Sequence, residues 1–177
     1  YQFYERLAVS QELHAGKLHK ELRKALIRVE NSVRNDIRVR YEIVFLPYKA
    51  SMWDSMESVW QAADADPDCD AYVVPIPYYD RAAGAMAQAY HYEGNELPSC
   101  VPVTHYSAYS IRERRPDAIY IHNPYDHANY VTTIAPEFYS CELKKYTECL
   151  VYIPYYSTTG GMSEGRASCP AYYHADY

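Results

Sequence analysis

Hydrophobic and polar positions follow one pattern before about residue 40 and another after it. Between about residues 3 and 37 the apolar positions recur at steps of three and four, so a helix would carry them on one face: Leu18, Leu22, Leu26, Val29 and Val33. The segment has no proline, and its single Gly16 is tolerable. The pattern predicts one long helix of about 50 Å. We expect part of it to pair with a second copy of the chain; a helix lying across its own domain is the alternative.

From residue 41 onward, strand-like and helix-like stretches alternate. Continuous apolar runs predict five strands, at 41–47, 71–77, 101–106, 117–124 and 150–154. Helical patterns occupy 51–65, 109–116 and about 135–149, while 81–98 reads as a long loop. The tail from 157 predicts loop, with a short helix or the start of a further strand. This alternation predicts a three-layer, Rossmann-like α/β domain over 41–177, with a five- or six-stranded, mostly parallel sheet.

Four of the apolar runs end in the dipeptide Pro-Tyr. The prolines are Pro47, Pro77, Pro124 and Pro154, and each of the pairs 47/77 and 124/154 is separated by 30 residues, the length of one strand-helix-strand unit. Proline lacks an N–H group, so it ends the hydrogen-bond ladder and directs the next residue off the edge of the sheet. Ligands bind at this carboxyl edge in open α/β sheets. The repeated ending therefore predicts a binding site.

Several side chains with suitable chemistry are expected at this edge. A tyrosine ring can stack on a sugar or a base, and its hydroxyl donates or accepts a hydrogen bond. The candidate binding residues are Tyr48, Lys49, Tyr78, Asp80, His105, Asn123, Tyr125 and Tyr155. The alternative is that Pro-Tyr only terminates strands and that the rings fold back as packing.

Two further groups of residues could contribute chemistry. His122 and Asp126 could act as a base and its orienting carboxylate, which makes them the catalytic candidates. Gly160 and Gly161 follow the fifth predicted strand and could present backbone N–H groups to a phosphate. The alternating aspartates at 64–70 are interpreted as a solvated turn at the opposite edge, and no metal site is expected.

Composition and charge narrow the function classes. The net charge is −6, with nine Lys/Arg against five Asp/Glu in residues 1–40 and an acidic remainder, which argues against a nucleic-acid partner. The basic segment could still rest on an acidic partner or a membrane surface. Five scattered cysteines without CxxC spacing predict reduced thiols in a cytoplasmic protein. No apolar run approaches the roughly 20 residues of a membrane-spanning helix.

Three segments together resemble a known family: FLPYKASMWDSMESVWQAADADPDCDAYVVPIPYYDR, RRPDAIYIHNPYD and LVYIPYYSTTGGMSEG. Residues 41–177 resemble the N-terminal half of bacterial CDP-glycerol glycerophosphotransferase-like proteins, which are two-domain GT-B transferases. The resemblance implies an acceptor-binding domain here, with a donor domain for CDP-glycerol or a related nucleotide beyond Tyr177 and no cofactor in this half. It implies transfer of glycerol phosphate to a cell-envelope acceptor, a polyol phosphate or lipid-linked sugar, at the inner face of the membrane.

This sequence departs from the family in one motif. The better-known teichoic acid polymerases carry Trp-His-Gly-Thr at an N-terminal strand end, whereas residues 152–156 here read YIPYY. We expect the chain to be catalytically inactive alone. A second hypothesis is a small-molecule binding or sensory module whose long helix is a dimerisation arm, and a third is a structural oligomerisation fragment.

Overall fold

The computed structural model describes residues 15–81, 89–157, 165 and 168–177, which divide into two compact units. The first unit, Tyr1–Val39, contains helix α1 (Ala15–Asp36), the described part of the predicted long helix. Residues 1–14 lie outside the described part. Within α1 the apolar residues Leu26, Val29 and Val33 are exposed, and Arg34 pairs with Glu30 at 2.9 Å across one turn.

The second unit, Arg40–Tyr177, is an α/β domain. Its strands are β1 (Tyr41–Leu46), β2 (Cys69–Val73), β3 (Tyr78–Asp80), β4 (Tyr90–His91), β5 (Ala118–Ile121), β6 (Thr132–Ile134) and β7 (Cys149–Tyr152). Its α-helices are α2 (Asp54–Ala65), α3 (Ile111–Arg114), α4 (Ser140–Leu143) and α5 (Ala171–His174). Short 3₁₀ turns cover Ala50–Met52, Gly94–Glu96, Tyr106–Ala108 and Pro136–Phe138.

The main sheet has four parallel strands in the order β2-β1-β5-β7. The chain passes from β1 to β2 on one side and later crosses to β5 on the other side of β1, so the strand order reverses between β1 and β5. Crevices form outside the carboxyl ends of strands at such a reversal. The prediction of an α/β fold with a parallel sheet is confirmed, but the sheet has four strands rather than five or six.

Both faces of this sheet are covered, as the continuous apolar strands predict. Phe45 and Val73 pack with Trp53, Met56 and Trp60 of the α2 region on one face. On the other face Val44, Leu46, Ile119, Ile121 and Leu150 pack under β3, β6 and the short helices. Alternate residues of one strand therefore enter separate cores.

The predicted third strand at 101–106 is reduced to one parallel bridge between Val103 and Val73. Two prolines account for this difference. Val74 and Ile76 donate to Phe45 and Pro47 on the β1 side, so Pro75 and Pro77 face the outer side of this segment, where they have no N–H group to offer.

The remaining differences between the prediction and the structure concern short elements, several of which pair with residues distant in the sequence. Strands β4, β3 and β6 form a second, antiparallel sheet that takes up part of the predicted 81–98 loop. The predicted helix at 135–149 is shorter, a 3₁₀ turn followed by α4. The tail forms the short helix α5 and then runs beside β7, where the Tyr152 N–H group donates to the Tyr177 carbonyl at 2.8 Å.

Candidate functional site

A cavity of about 670 Å³ opens at the carboxyl edge of β1, β5 and β7. The residues that follow these three strands line it together: Tyr48, Lys49, Tyr125 and Tyr155. The opposite wall consists of residues 128–132, Gly165, Ser168 and Cys169. Three of the four Pro-Tyr endings therefore meet in one cavity, which we call the tyrosine cavity.

Tyr48 is fixed by contacts on both of its sides. Its backbone N–H donates to His122 Nε2 at 3.0 Å, and its ring packs edge-to-face on the rings of Tyr78 and His122, with centroids 5.6 and 5.4 Å apart. Burial raises the pKa of the Tyr48 phenol to about 12, so the hydroxyl is protonated at neutral pH and can donate a hydrogen bond.

Lys49 supplies a cation to the same cavity. Its Nζ lies 5.0 Å from the ring centroid of Tyr78 and 5.7 Å from that of Tyr48, which is cation–π range. In the described part of the chain Lys49 has no ion-pair partner. The ammonium group is positioned by aromatic rings rather than by a carboxylate, so its charge remains available to an anionic ligand.

The fourth Pro-Tyr ending lies elsewhere, which corrects the prediction of one shared edge. Tyr78 begins β3, is buried, stacks on His91 and donates its hydroxyl to the Glu93 carboxylate. Asp80 Oδ2 lies 2.9 Å from His91 Nε2. Neither side chain lines the tyrosine cavity; Tyr78 only supports Tyr48 and Lys49 from behind.

His122 lies at the centre of the site but has no exposed surface. Burial lowers its pKa to about 4, with the backbone of Met52 opposing the effect, so the ring is neutral at physiological pH. Because Nε2 accepts from Tyr48, Nδ1 carries the proton. The ring centroid lies 6.0 Å from that of Tyr155.

Asp126 does not orient His122, which corrects the predicted base–carboxylate pair. Its Oδ2 instead accepts from the backbone N–H and the hydroxyl of Ser140, at 2.9 and 2.6 Å. Burial raises the pKa of this carboxyl group. The residue has φ of 46°, a left-handed conformation that short polar side chains tolerate. Asp126 therefore fastens the start of α4.

The other candidate binding residues that the structure describes do not line the tyrosine cavity. Asn123 Oδ1 accepts from the Tyr125 N–H at 3.2 Å and so shapes the loop that carries Tyr125. His105 caps the 3₁₀ turn Tyr106–Ala108 and packs on the rings of Tyr92 and Tyr106, away from the tyrosine cavity. Gly160 and Gly161 lie outside the described residues.

Some contributors were missed at the sequence level. Asn129 and Thr132 line the tyrosine cavity, and Asn129 Oδ1 accepts from the Val131 N–H at 2.9 Å. Glu93 joins two elements by accepting from Tyr78 and from the Ala50 N–H at 2.8 Å. These residues come from loops without periodicity, and only the polar character of Asn129, just past a Pro-Tyr ending, could have indicated one of them.

Across residues 15–81, 89–157, 165 and 168–177, no group of three or more metal-ligating side chains comes together. Among the helices in that same part of the chain, none has the length and apolar character needed to cross a bilayer. Comparison of the chain with profiles of known protein families, with curated proteins and with solved structures gave no match.

Proposed function

We propose that the chain is the acceptor-binding half of a glycerophosphotransferase of the GT-B type, acting in synthesis of a teichoic-acid-like cell-envelope polymer. The observation that carries the proposal is the tyrosine cavity, which is lined by three tyrosines and by Lys49, whose ammonium group has no ion-pair partner among the described residues. A phosphate would take the charge of Lys49, and the rings and hydroxyls would bind the carbon chain and hydroxyls of a polyol.

The position of the cavity supports this proposal. It lies outside the carboxyl ends of β1 and β5, where the strand order reverses, and this is the usual ligand position in open α/β sheets. We infer a Rossmann-like plan in which residues 101–106 are the remnant of a fifth strand beside β2. The donor, CDP-glycerol or a related nucleotide, would bind a further domain, at the cytoplasmic face of the membrane.

A small-molecule binding or sensory module is the second candidate, and one observation favours it. His122 is the candidate histidine beside the tyrosine cavity. Its Nε2 already accepts a backbone N–H, so this nitrogen is not free to act as a base. A cavity that binds without catalysing would need no such base. A downstream donor domain in the gene would support the transferase, and an output domain would support the sensor.

Titration followed by NMR tests the proposal on the full chain. Glycerol 3-phosphate should shift the amide signals of Lys49, Tyr125 and Tyr155 in a saturable way, and glycerol should bind much more weakly. Lys49→Met should weaken phosphate binding by about tenfold, the value of one charge-assisted hydrogen bond.

Lys20→Met is the matched control, because it removes the same charge from an exposed position on α1. It should leave the affinity unchanged. Equal binding of glycerol and glycerol 3-phosphate, or shifts confined to residues 64–70, would contradict the site assignment.

A further inference from the structure

A second cavity, of about 460 Å³, lies among the short helices that cover one face of the parallel sheet. Its walls are the segment 106–112, which includes the start of α3, and residues of the segment 137–146, which includes α4. It shares no lining residue with the tyrosine cavity. We call it the α3–α4 cavity.

Aromatic rings form the apolar part of this cavity and are held in place. Tyr106 and Phe138 pack edge-to-face, with centroids 6.2 Å apart. The Tyr109 hydroxyl donates to Glu42 at 2.5 Å, and the Arg114 guanidinium lies 5.0 Å from its ring centroid. Because the hydroxyl of Tyr109 is already hydrogen-bonded to Glu42, Tyr109 contributes only its aromatic ring to the cavity.

Polar groups in the same walls remain uncommitted. Arg112 and Glu137 have opposite charges and are both exposed, yet neither pairs with the other or with any other described residue. Ser110 Oγ accepts from the Glu113 N–H at 3.3 Å, so its own proton is available. By contrast Glu142 already pairs with Lys145 at 2.6 Å.

We propose that the α3–α4 cavity binds a pyranose sugar, free or at the end of a glycan. A sugar ring has an apolar face that packs on aromatic rings and a belt of hydroxyls that both donate and accept. Glu137 accepts from these hydroxyls, while Arg112 and Ser110 donate to them. An apolar ligand would leave these groups unpaired on desolvation, and the two carboxylates in the walls disfavour an anion.

This site is independent of the proposed function, because its ligand is uncharged and its residues are different. The tyrosine cavity offers a cation that has no ion-pair partner among the described residues, whereas the α3–α4 cavity offers one arginine and two glutamates. Glycerol 3-phosphate and a methyl pyranoside should therefore bind at the same time, each without displacing the other.

The test is an NMR titration of the full chain with the methyl pyranosides of glucose, galactose and N-acetylglucosamine. At least one should shift the amide signals of Ser110 and Phe138 to saturation. Glu137→Gln and Arg112→Gln should each weaken that binding by about tenfold, since each removes a charge-assisted hydrogen bond.

Glu113→Gln is the matched control, because Glu113 is an exposed carboxylate of α3 outside the cavity. It should bind like the parent chain, and all three variants should keep the parent melting temperature. The proposal is overturned if no pyranoside shifts these signals, if cyclohexanol binds as tightly, or if Glu113→Gln weakens binding equally. If glycerol 3-phosphate displaced the sugar, the two ligands would share one site, and the proposal of a separate sugar site would be refuted.

Discussion

His122 shows how one side chain can hold the end of a strand. Pro47 lacks an N–H group, so the first donor beyond β1 is that of Tyr48, which emerges where the ladder to β5 has ended. His122, one residue after β5, accepts it at 3.0 Å. The imidazole therefore replaces a backbone carbonyl, and it ties together the two strands between which the order reverses.

Replacing His122 by Ala should destabilise the fold strongly. The substitution leaves the buried Tyr48 N–H without an acceptor and empties the space under two tyrosine rings, so we expect a loss of about 3 kcal/mol in the free energy of unfolding. Urea denaturation at neutral pH measures this loss. His127→Ala, at an exposed histidine five residues away, should change the value by less than about 0.5 kcal/mol. Similar losses for both variants would contradict the bracing role.

The same histidine predicts how stability depends on pH. Its pKa is about 4 in the folded chain and about 6.5 when unfolded, so only the unfolded state takes up a proton between these values. This contribution, roughly 3 kcal/mol, is complete above pH 6.5 and is lost as the pH falls through 4. Burial of Asp126 raises its pKa, and its effect has the opposite sign.

The difference between the parent chain and His122→Gln isolates the histidine, since both keep Asp126. Urea denaturation at a series of pH values should show this difference shrinking as the pH falls from about 7 to about 4. A pH-independent difference would mean that His122 is not buried in its neutral form.

Asp126 should tolerate loss of its charge but not loss of its oxygen. In Asp126→Asn the amide oxygen can still accept from Ser140, asparagine suits a positive φ, and a buried charge disappears. Its free energy of unfolding should stay within about 1 kcal/mol of the parent value or exceed it. Asp126→Ala should lose about 3 kcal/mol, because it leaves the Ser140 N–H without its acceptor and because alanine lacks the polar side chain that makes a φ of 46° tolerable. Urea denaturation of both variants compares them, and equal losses would show that the charge itself is needed.

At the scale of elements, the sequence predicted what local pattern controls. Apolar runs located β1, β5 and β7, and a proline follows the end of each strand by one to three residues. Strands β3, β4 and β6 have only two or three residues, too few for a period, and they pair across long loops.

The candidate site was predictable to a similar degree. The rule that places ligands at the carboxyl edge correctly brought Tyr48, Tyr125 and Tyr155 together. It misplaced Tyr78 because Ile76 still pairs with β1, so the chain turns into the second sheet only after Pro77. The hydrogen bonds of His122 and Asp126 depend on which donors remain unsatisfied after folding, and no spacing in the sequence records that.

Helix α1 gives a prediction at its own scale. Leu22, Leu26, Val29 and Val33 repeat at steps of three and four and are 43–68% exposed. We predict that this face pairs with a second copy of the chain, giving a dimer in light scattering coupled to size exclusion. Leu26→Glu should shift the equilibrium to monomer, since it puts a charge in the seam. Glu21→Gln, at an exposed position of the same helix, should not. A monomeric parent chain at high concentration would contradict the prediction.

At the scale of the whole molecule, the parallel sheet needs protection at the β7 edge, and the C-terminal residues supply it. The N–H groups of Leu150 and Tyr152, which point away from β5, donate to the Asp176 carboxylate and the Tyr177 carbonyl at 2.8 Å. The Asp176 N–H donates back to Leu150, and Lys144 pairs with the Asp176 carboxylate. An exposed edge with free donors is a template for association with other chains.

Deleting residues 176–177 should therefore lower stability and also cause association. Two edge N–H groups lose their acceptors and the Lys144 ion pair is removed, so we expect a loss of about 3 kcal/mol in urea denaturation and rising light scattering with concentration. Tyr177→Ala is the matched control, because the Tyr177 side chain is 82% exposed while its carbonyl makes the edge contact. This variant should stay within about 0.5 kcal/mol of the parent chain and remain free of aggregates. If Tyr177→Ala behaved like the deletion, the ring rather than the backbone would be what protects the edge.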